Sequence, residues 1–205
     1  MNNKIIIVFC CLLLSLSTRA QSLLDLLSIK QSRHENIEYQ LNILKKWKIR
    51  PDVVAVFKPD GKDSMASCKY NIDPHMCRQN TFSPIQFRVY ENNGKLFTAW
   101  EYCFGNMKTL GILKDWKICD IARLPLNRNV TFGQDSCLWT SVAGSVPDIA
   151  SYRTVIVAYW DPYFGRSTRK MLQRLQKTID ANPQIPCLFI TVDYNGILDV
   201  TTSVN

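Results

Sequence analysis

Histidine is nearly missing from this chain: His34 and His75 are the only two in 205 residues. A Ser-His-Asp or Cys-His centre needs an imidazole base beside its nucleophile. His34 falls on a stretch that reads as surface helix, and His75 lies beside cysteines expected to be bridged. Neither is near a Gly-x-Ser-x-Gly or comparable nucleophile turn. Glycine and proline are also sparse, at 8 and 9, which excludes collagen-like and low-complexity classes. There is no Gly-rich phosphate loop, no His-Glu-x-x-His and no Cys-x-x-Cys. The longest apolar run, Ile5 to Leu14, is too short to cross a bilayer, which takes about 20 residues. Nothing points to the paired carboxylates of glycoside hydrolysis.

What is present is a chain 46% hydrophobic, too apolar to be disordered. Its start has three parts: Lys4, the apolar block Ile5 to Leu14, then Thr18-Arg19-Ala20 with small residues where a signal peptidase reads. Residues 1–20 are therefore expected to be a secretory signal peptide cut before Gln21. The short block disfavours an anchor, and Cys10 and Cys11 lie too early for a lipoprotein signal. The mature chain would have 205 − 20 = 185 residues and a net charge of +8 − 2 = +6, after losing Lys4 and Arg19. It is expected to be exported, periplasmic or secreted, with no transmembrane segment. Six cysteines then remain as possible disulfides: Cys68, Cys77, Cys103, Cys119, Cys137 and Cys187. Short loops favour Cys68–Cys77 and Cys103–Cys119 first. Cys68, His75 and Cys77 match no zinc spacing, and no fourth ligand is apparent. No metal and no cofactor are expected.

The expected organisation is an N-terminal helical segment over 21–51, a hairpin-containing region over 52–120 and a βαβ region over 121–205. Ser22 to Lys48 reads as helix, continuous or broken near Gln31–His34, with Ile37, Leu41 and Leu44 at 3.6-residue spacing and Pro51 as its stop. Lys45, Lys46, Lys48 and Arg50 crowd its end, where cations suit the dipole. One such cluster without a recognition motif is a solvated helix end, so no nucleic-acid partner is expected. Val53 to Phe57 reads as a strand and 58–82 as a long loop. Ile85, Phe87 and Val89 alternate with Gln86, Arg88 and Tyr90, and Asn92-Asn93-Gly94 is turn chemistry before a returning strand, so this is a hairpin. Met107 to Trp116 reads as a short helix and 120–150 as mixed. Asn129-Val130-Thr131 is a glycosylation sequon.

Thr154 to Trp160 is a near-continuous apolar run, as in a strand covered on both faces. A turn follows, with Ser167 as the expected N-cap of a helix. That helix has an apolar stripe (Met171, Leu172, Leu175, Ile179) and a basic one (Arg166, Lys170, Arg174, Lys177), and ends at Asn182-Pro183. Cys187 to Val192 is a second buried strand. The fold class is α/β, with α+β as the alternative, built on this βαβ unit.

The unit resembles the central part of thioredoxin-like proteins, such as periplasmic thiol–disulfide oxidoreductases. Those proteins run an apolar strand into an aromatic-Trp pair, a loop holding Cys-x-x-Cys, and a helix. Tyr159-Trp160 matches the pair, and Val192-Asp193 resembles the end of the next strand. The two cysteine positions fall on Phe164 and Ser167. Thiol–disulfide exchange needs an activated thiolate and a resolving thiol; a benzyl ring and a hydroxyl supply neither. The family also places a cis-proline and a hairpin after this unit, where this chain has few residues left. Ser83-Pro84 and the hairpin resemble that second half, placed first. The hairpin completes the same sheet in permuted order, belongs to an upstream lobe beginning at Val53 with Pro84 as the cis-proline, or is a generic hairpin in an α+β domain.

The resemblance implies a non-catalytic, exported protein that binds a protein or small ligand in the cell envelope. Its expected binding residues are Asp161, Tyr163, Phe164, Arg166 and Ser167, at a helix start whose free N–H groups and Arg166 favour an anion. The alternatives are a thiol–disulfide oxidoreductase using Cys68 and Cys77, and an envelope immunity or assembly factor.

Overall fold

The structure, a computed structural model, describes residues 37–67, 69–72, 83–101 and 129–197. The expected signal peptide, the first part of the expected N-terminal helix with His34, the helix expected at Met107 to Trp116, His75, and the cysteines 68, 77, 103 and 119 lie outside them.

Six strands form one sheet: Val53–Phe57 (β1), Gln86–Glu91 (β2), Leu96–Glu101 (β3), Trp139–Ala143 (β4), Thr154–Trp160 (β5) and Cys187–Ile197 (β6). Their order is β3-β2-β5-β6-β1-β4. The middle three, β5, β6 and β1, are parallel, while β2 and β4 run antiparallel to their central neighbours. The fold is thus mixed α and β around a single mixed sheet.

The hairpin and the βαβ unit share that sheet. Gln86 pairs with Tyr159 and Glu91 with Thr154. The upstream-lobe arrangement called for a cis bond before Pro84. No described residue has a cis peptide, so that expectation is corrected. Gly94, at φ +77°, closes the hairpin turn in the left-handed region that its missing Cβ makes cheap.

Helices cover both faces. On one, Ile37–Lys46 (α1) and Gly165–Asp180 (α4) bury Leu44, Met171, Leu172 and Leu175 against Phe87, Ile156, Ala158 and Phe189. Each such side chain contributes about 1.5–3 kcal/mol by leaving water. The pair is stitched by Gln173 Nε2 donating to the Trp47 carbonyl (3.2 Å) and by the Arg50 N–H donating to Gln176 Oε1 (2.7 Å). On the other face, Gly61–Ala66 (α2) and Phe132–Ser136 (α3) bring Met65 and Phe132 onto Ala55, Tyr90, Val157 and Val192. Two covered faces explain why β1 and β5 lack alternation.

Two local expectations change. Part of the loop foreseen over 58–82 is the helix α2, which Met65 anchors in the core. α1 stops before Pro51: Lys48 takes a left-handed φ of 60° and the Ile49 N–H returns to the Leu44 carbonyl. The alternation in β2 does not separate a wet face from a dry one, since Gln86 and Arg88 are both fully buried.

Candidate functional site at the carboxyl edge of the sheet

The parallel strands β1, β5 and β6 all end on one edge, the usual ligand-binding edge of open α/β sheets. β5 runs directly into Asp161. Its Oδ1 accepts the Tyr163 N–H (2.8 Å) and its carbonyl accepts the Thr168 hydroxyl (2.8 Å). Asp161 thereby caps the single 3-10 turn Pro162–Phe164 that leads into α4. This corrects the placement of the helix cap. Phe164, which makes no side-chain capping bond, holds the N-cap position of α4, and Ser167 is already its third residue. An ionisable carboxylate one turn upstream is the stronger acceptor, so the chain starts coiling there.

β6 contributes through an irregularity. Val56 pairs with Asp193 but the next residue, Phe57, pairs with Ile197, so the residues between bulge out of the ladder. Bulges re-aim side chains at strand ends. Here Asp193 Oδ1 accepts the Asn195 N–H (2.8 Å), and the Asn195 side chain hydrogen-bonds Asp161. Tyr194 meets Phe57 edge-on at 86°, and Lys62 of α2 sets its Nζ 4.4 Å from the centre of the Tyr194 ring.

These groups form one electrostatic cluster. Burial pushes the Lys62 amine below its ordinary value, while Asp193, Asp161 and Asp63 pull it back up. Burial likewise raises the Asp161 carboxyl, opposed by the Tyr163 N–H, Asn195 and Lys62. Tyr194 is raised by burial and by Asp161 and Asp63. The edge offers one cation, two buried carboxylates, a phenol and an amide. It is equipped for polar recognition.

Of the five expected binding residues, the structure draws Asp161 and Tyr163 into this cluster, both buried. Phe164 packs instead against the core beneath α1 and α4. Arg166 is exposed, and Ser167 is half-buried within the helix. The buried Asp161 carboxylate also opposes the anion that Gly165-Arg166-Ser167-Thr168 was expected to take. Sequence reasoning missed Lys62, Tyr194 and Asn195. The available signal was the polar run Asp193-Tyr194-Asn195 at the end of an apolar strand; Lys62 carried none, because its segment read as a loop.

A second polar cluster lies inside the sheet's other face. Arg88 Nη1 donates to Asp135 Oδ1 and the Tyr90 hydroxyl donates to Asp135 Oδ2, both at 2.7 Å. Both side chains of the ion pair are fully buried. Arg88 also reaches Gln86 Oε1 (3.1 Å) and Met65 Sδ (3.2 Å), and lies 5.3 Å from the Tyr159 ring centre. Burial works most strongly against the guanidinium charge, but Asp135, Tyr90 and Tyr159 together outweigh it and hold the group charged. With no exposure, this cluster locks β2, β5 and α3 together rather than meeting a ligand.

The two described cysteines are free thiols rather than half-cystines. Cys137 is exposed, with its Sγ at 3.1 Å from the Gly133 carbonyl. Cys187 is pushed up to about 12 by burial and by Asp52, which makes it inert at neutral pH. Among the described residues no group of three or more His, Cys, Asp or Glu is arranged to hold a metal ion, and no helix is long and apolar enough to cross a membrane. In the sequon, Asn129 is exposed, while the Thr131 hydroxyl accepts the Gln134 N–H (3.3 Å) in a capping box.

No family model, no curated protein and no solved structure matches this chain.

Proposed function

We propose that this chain is an exported protein of thioredoxin-like build that has no redox centre and works by binding a protein or ligand in the cell envelope, at the carboxyl edge described above. One observation carries the reading. A parallel β5-α4-β6 unit is flanked on the β5 side by an antiparallel hairpin and on the β6 side by a further parallel strand, with Phe164 at the N-cap of the helix and Ser167 three residues on. In thioredoxin-like relatives the reactive thiols occupy those two positions, where helix N–H groups lower a thiol pKa. A hairpin that comes earlier in the chain can still occupy its place in the sheet, because pairing depends on position in space.

The purified protein should not reduce insulin, and robust turnover would overturn the reading. The double variant Phe164→Cys/Ser167→Cys, exposed to oxidised glutathione, should form an internal disulfide that dithiothreitol reverses. Failure of that bridge to form in a folded variant would show that the bend is not thioredoxin-like. For the binding edge, peptides selected from a displayed library should lose affinity for Lys62→Ala and Asp161→Asn. Selected peptides indifferent to both changes would place the binding surface elsewhere.

A further inference from the structure

The positive charge of this chain is concentrated on one face. Residues 37–51 and 165–182, which contain α1 and α4, hold nine Lys and Arg against Glu38 and Asp180, a net +9 − 2 = +7. The whole chain carries +8, so the rest nets only +8 − 7 = +1. Tertiary structure merges two stretches more than a hundred residues apart. α1 and α4 pack side by side on the same core cluster, with their apolar stripes toward the sheet. Eight of the nine cations are exposed and the ninth, Lys170, is half-buried; Arg50 alone is paired, with Asp180 at 2.8 Å. On α4 the exposed cations Arg166, Arg169, Arg174 and Lys177 lie opposite the buried Met171, Leu172 and Leu175.

We propose that this α1/α4 face docks on an anionic lipid surface. The partner must be anionic, because a dense field of one sign attracts its opposite over a Debye length. It must also be broad. The cations stand on two adjacent helices as long flexible arms, with no buried charged side chain among them to read an individual anion. Apolar groups are interleaved: Leu41, 38% exposed, lies one turn before Lys45, and half-buried Trp47 sits between Lys46 and Lys48. Arms that snorkel around an exposed Leu and a half-buried Trp are what a lipid headgroup layer accommodates. A single-stranded nucleic acid would call for freely stacked aromatics, and here Trp47 is instead edge-on to Trp160 at 5.8 Å. The surface is distinct from the carboxyl-edge site, so it stands whether or not that site binds as proposed.

Cosedimentation with vesicles tests it. The mature protein should bind phosphatidylcholine vesicles containing about a third phosphatidylserine and not pure phosphatidylcholine, and raised salt should weaken binding. Each juxtamembrane cation is worth roughly fivefold in partition, so Arg169→Glu/Arg174→Glu/Lys177→Glu should lose at least tenfold. The charge-matched control Lys58→Glu/Lys95→Glu/Arg153→Glu, on exposed cations elsewhere, should retain most binding. Circular dichroism checks that both remain folded. Equal loss in both variants would reduce the effect to net charge and overturn the proposal. So would absence of vesicle binding, or tighter binding to a single-stranded oligonucleotide than to the vesicles.

Discussion

Asp135→Asn is the sharpest test of how this fold is held. Among the described residues Asp135 is the only acidic side chain joined to Arg88, and the two make a salt bridge with no exposure on either side. Both carboxylate oxygens are engaged, one by Arg88 Nη1 and one by the Tyr90 hydroxyl. An amide in the same place keeps one acceptor and turns a donor toward the other partner. It also removes the carboxylate countercharge bonded to a guanidinium that cannot shed its proton. Breaking a buried pair from one side costs about 3–5 kcal/mol. For a chain of this length each kcal/mol shifts Tm by about 2–4 °C, so a fall of roughly 6–20 °C is expected. Urea unfolding followed by tryptophan fluorescence at pH 7 would measure it. Because the pair is dry, the loss should be nearly unchanged by salt. Arg88→Met alone should cost a similar amount, through an orphaned carboxylate. The double variant Arg88→Met/Asp135→Asn should then cost at least about 2 kcal/mol less than the sum of the single losses. A loss below about 1 kcal/mol for Asp135→Asn, or simple additivity, would refute the assignment of this pair as the lock between β2 and α3.

Three further outcomes follow from the same structure. Burial raises Tyr90 and Tyr159 well above the ordinary tyrosine value, with Asp135 next as a cause. The unfolded chain therefore ionises first, so their stability contribution is complete below pH 10 and lost above it, at about 1.4 kcal/mol per pH unit for each. Tyr159→Phe should lower the alkaline slope in pH-dependent urea titrations by about 1.4 kcal/mol per pH unit, and an unchanged slope would contradict the burial. In thiol titration of native protein, Cys137→Ser should remove one fast-reacting thiol while Cys187→Ser leaves the fast phase intact. The reverse result would place the open thiol wrongly. Gly144 sits at φ +74° with the Asp52 carbonyl where a Cβ would go, so Gly144→Ala should cost at least about 1 kcal/mol in thermal melting. No loss there would mean the β1–β4 edge is looser than described.

How much was legible in the sequence differs by element. The bounds of Val53–Phe57, Thr154–Trp160 and the hairpin strands follow from apolar runs, alternation and an Asn-Asn-Gly turn, all local signals. β4 was not legible: Trp139–Ala143 has no strong pattern, and becomes a strand because β1 offers an edge to pair with. Ser167 looked like a cap because capping residues are read one at a time, whereas Asp161 wins by reaching Tyr163 across a turn. At the candidate site, Asp161 and Tyr163 were legible as flanking a helix start. Lys62 was not, since only the packing of α2 brings it beside Tyr194.

The sequence by itself determined which stretches could be strands and helices, that the bend after Trp160 carries no sulfur, and that the chain is basic. Those are properties of single residues and short periods. The tertiary structure alone decided that an early hairpin lies beside a late strand, that Arg88 is interior and paired, that Lys62, Asp161 and Asn195 meet at one edge, and that two basic stretches form one surface. Each of these rests on contacts between residues far apart in the chain, and no local pattern encodes which distant partners the sheet will bring together.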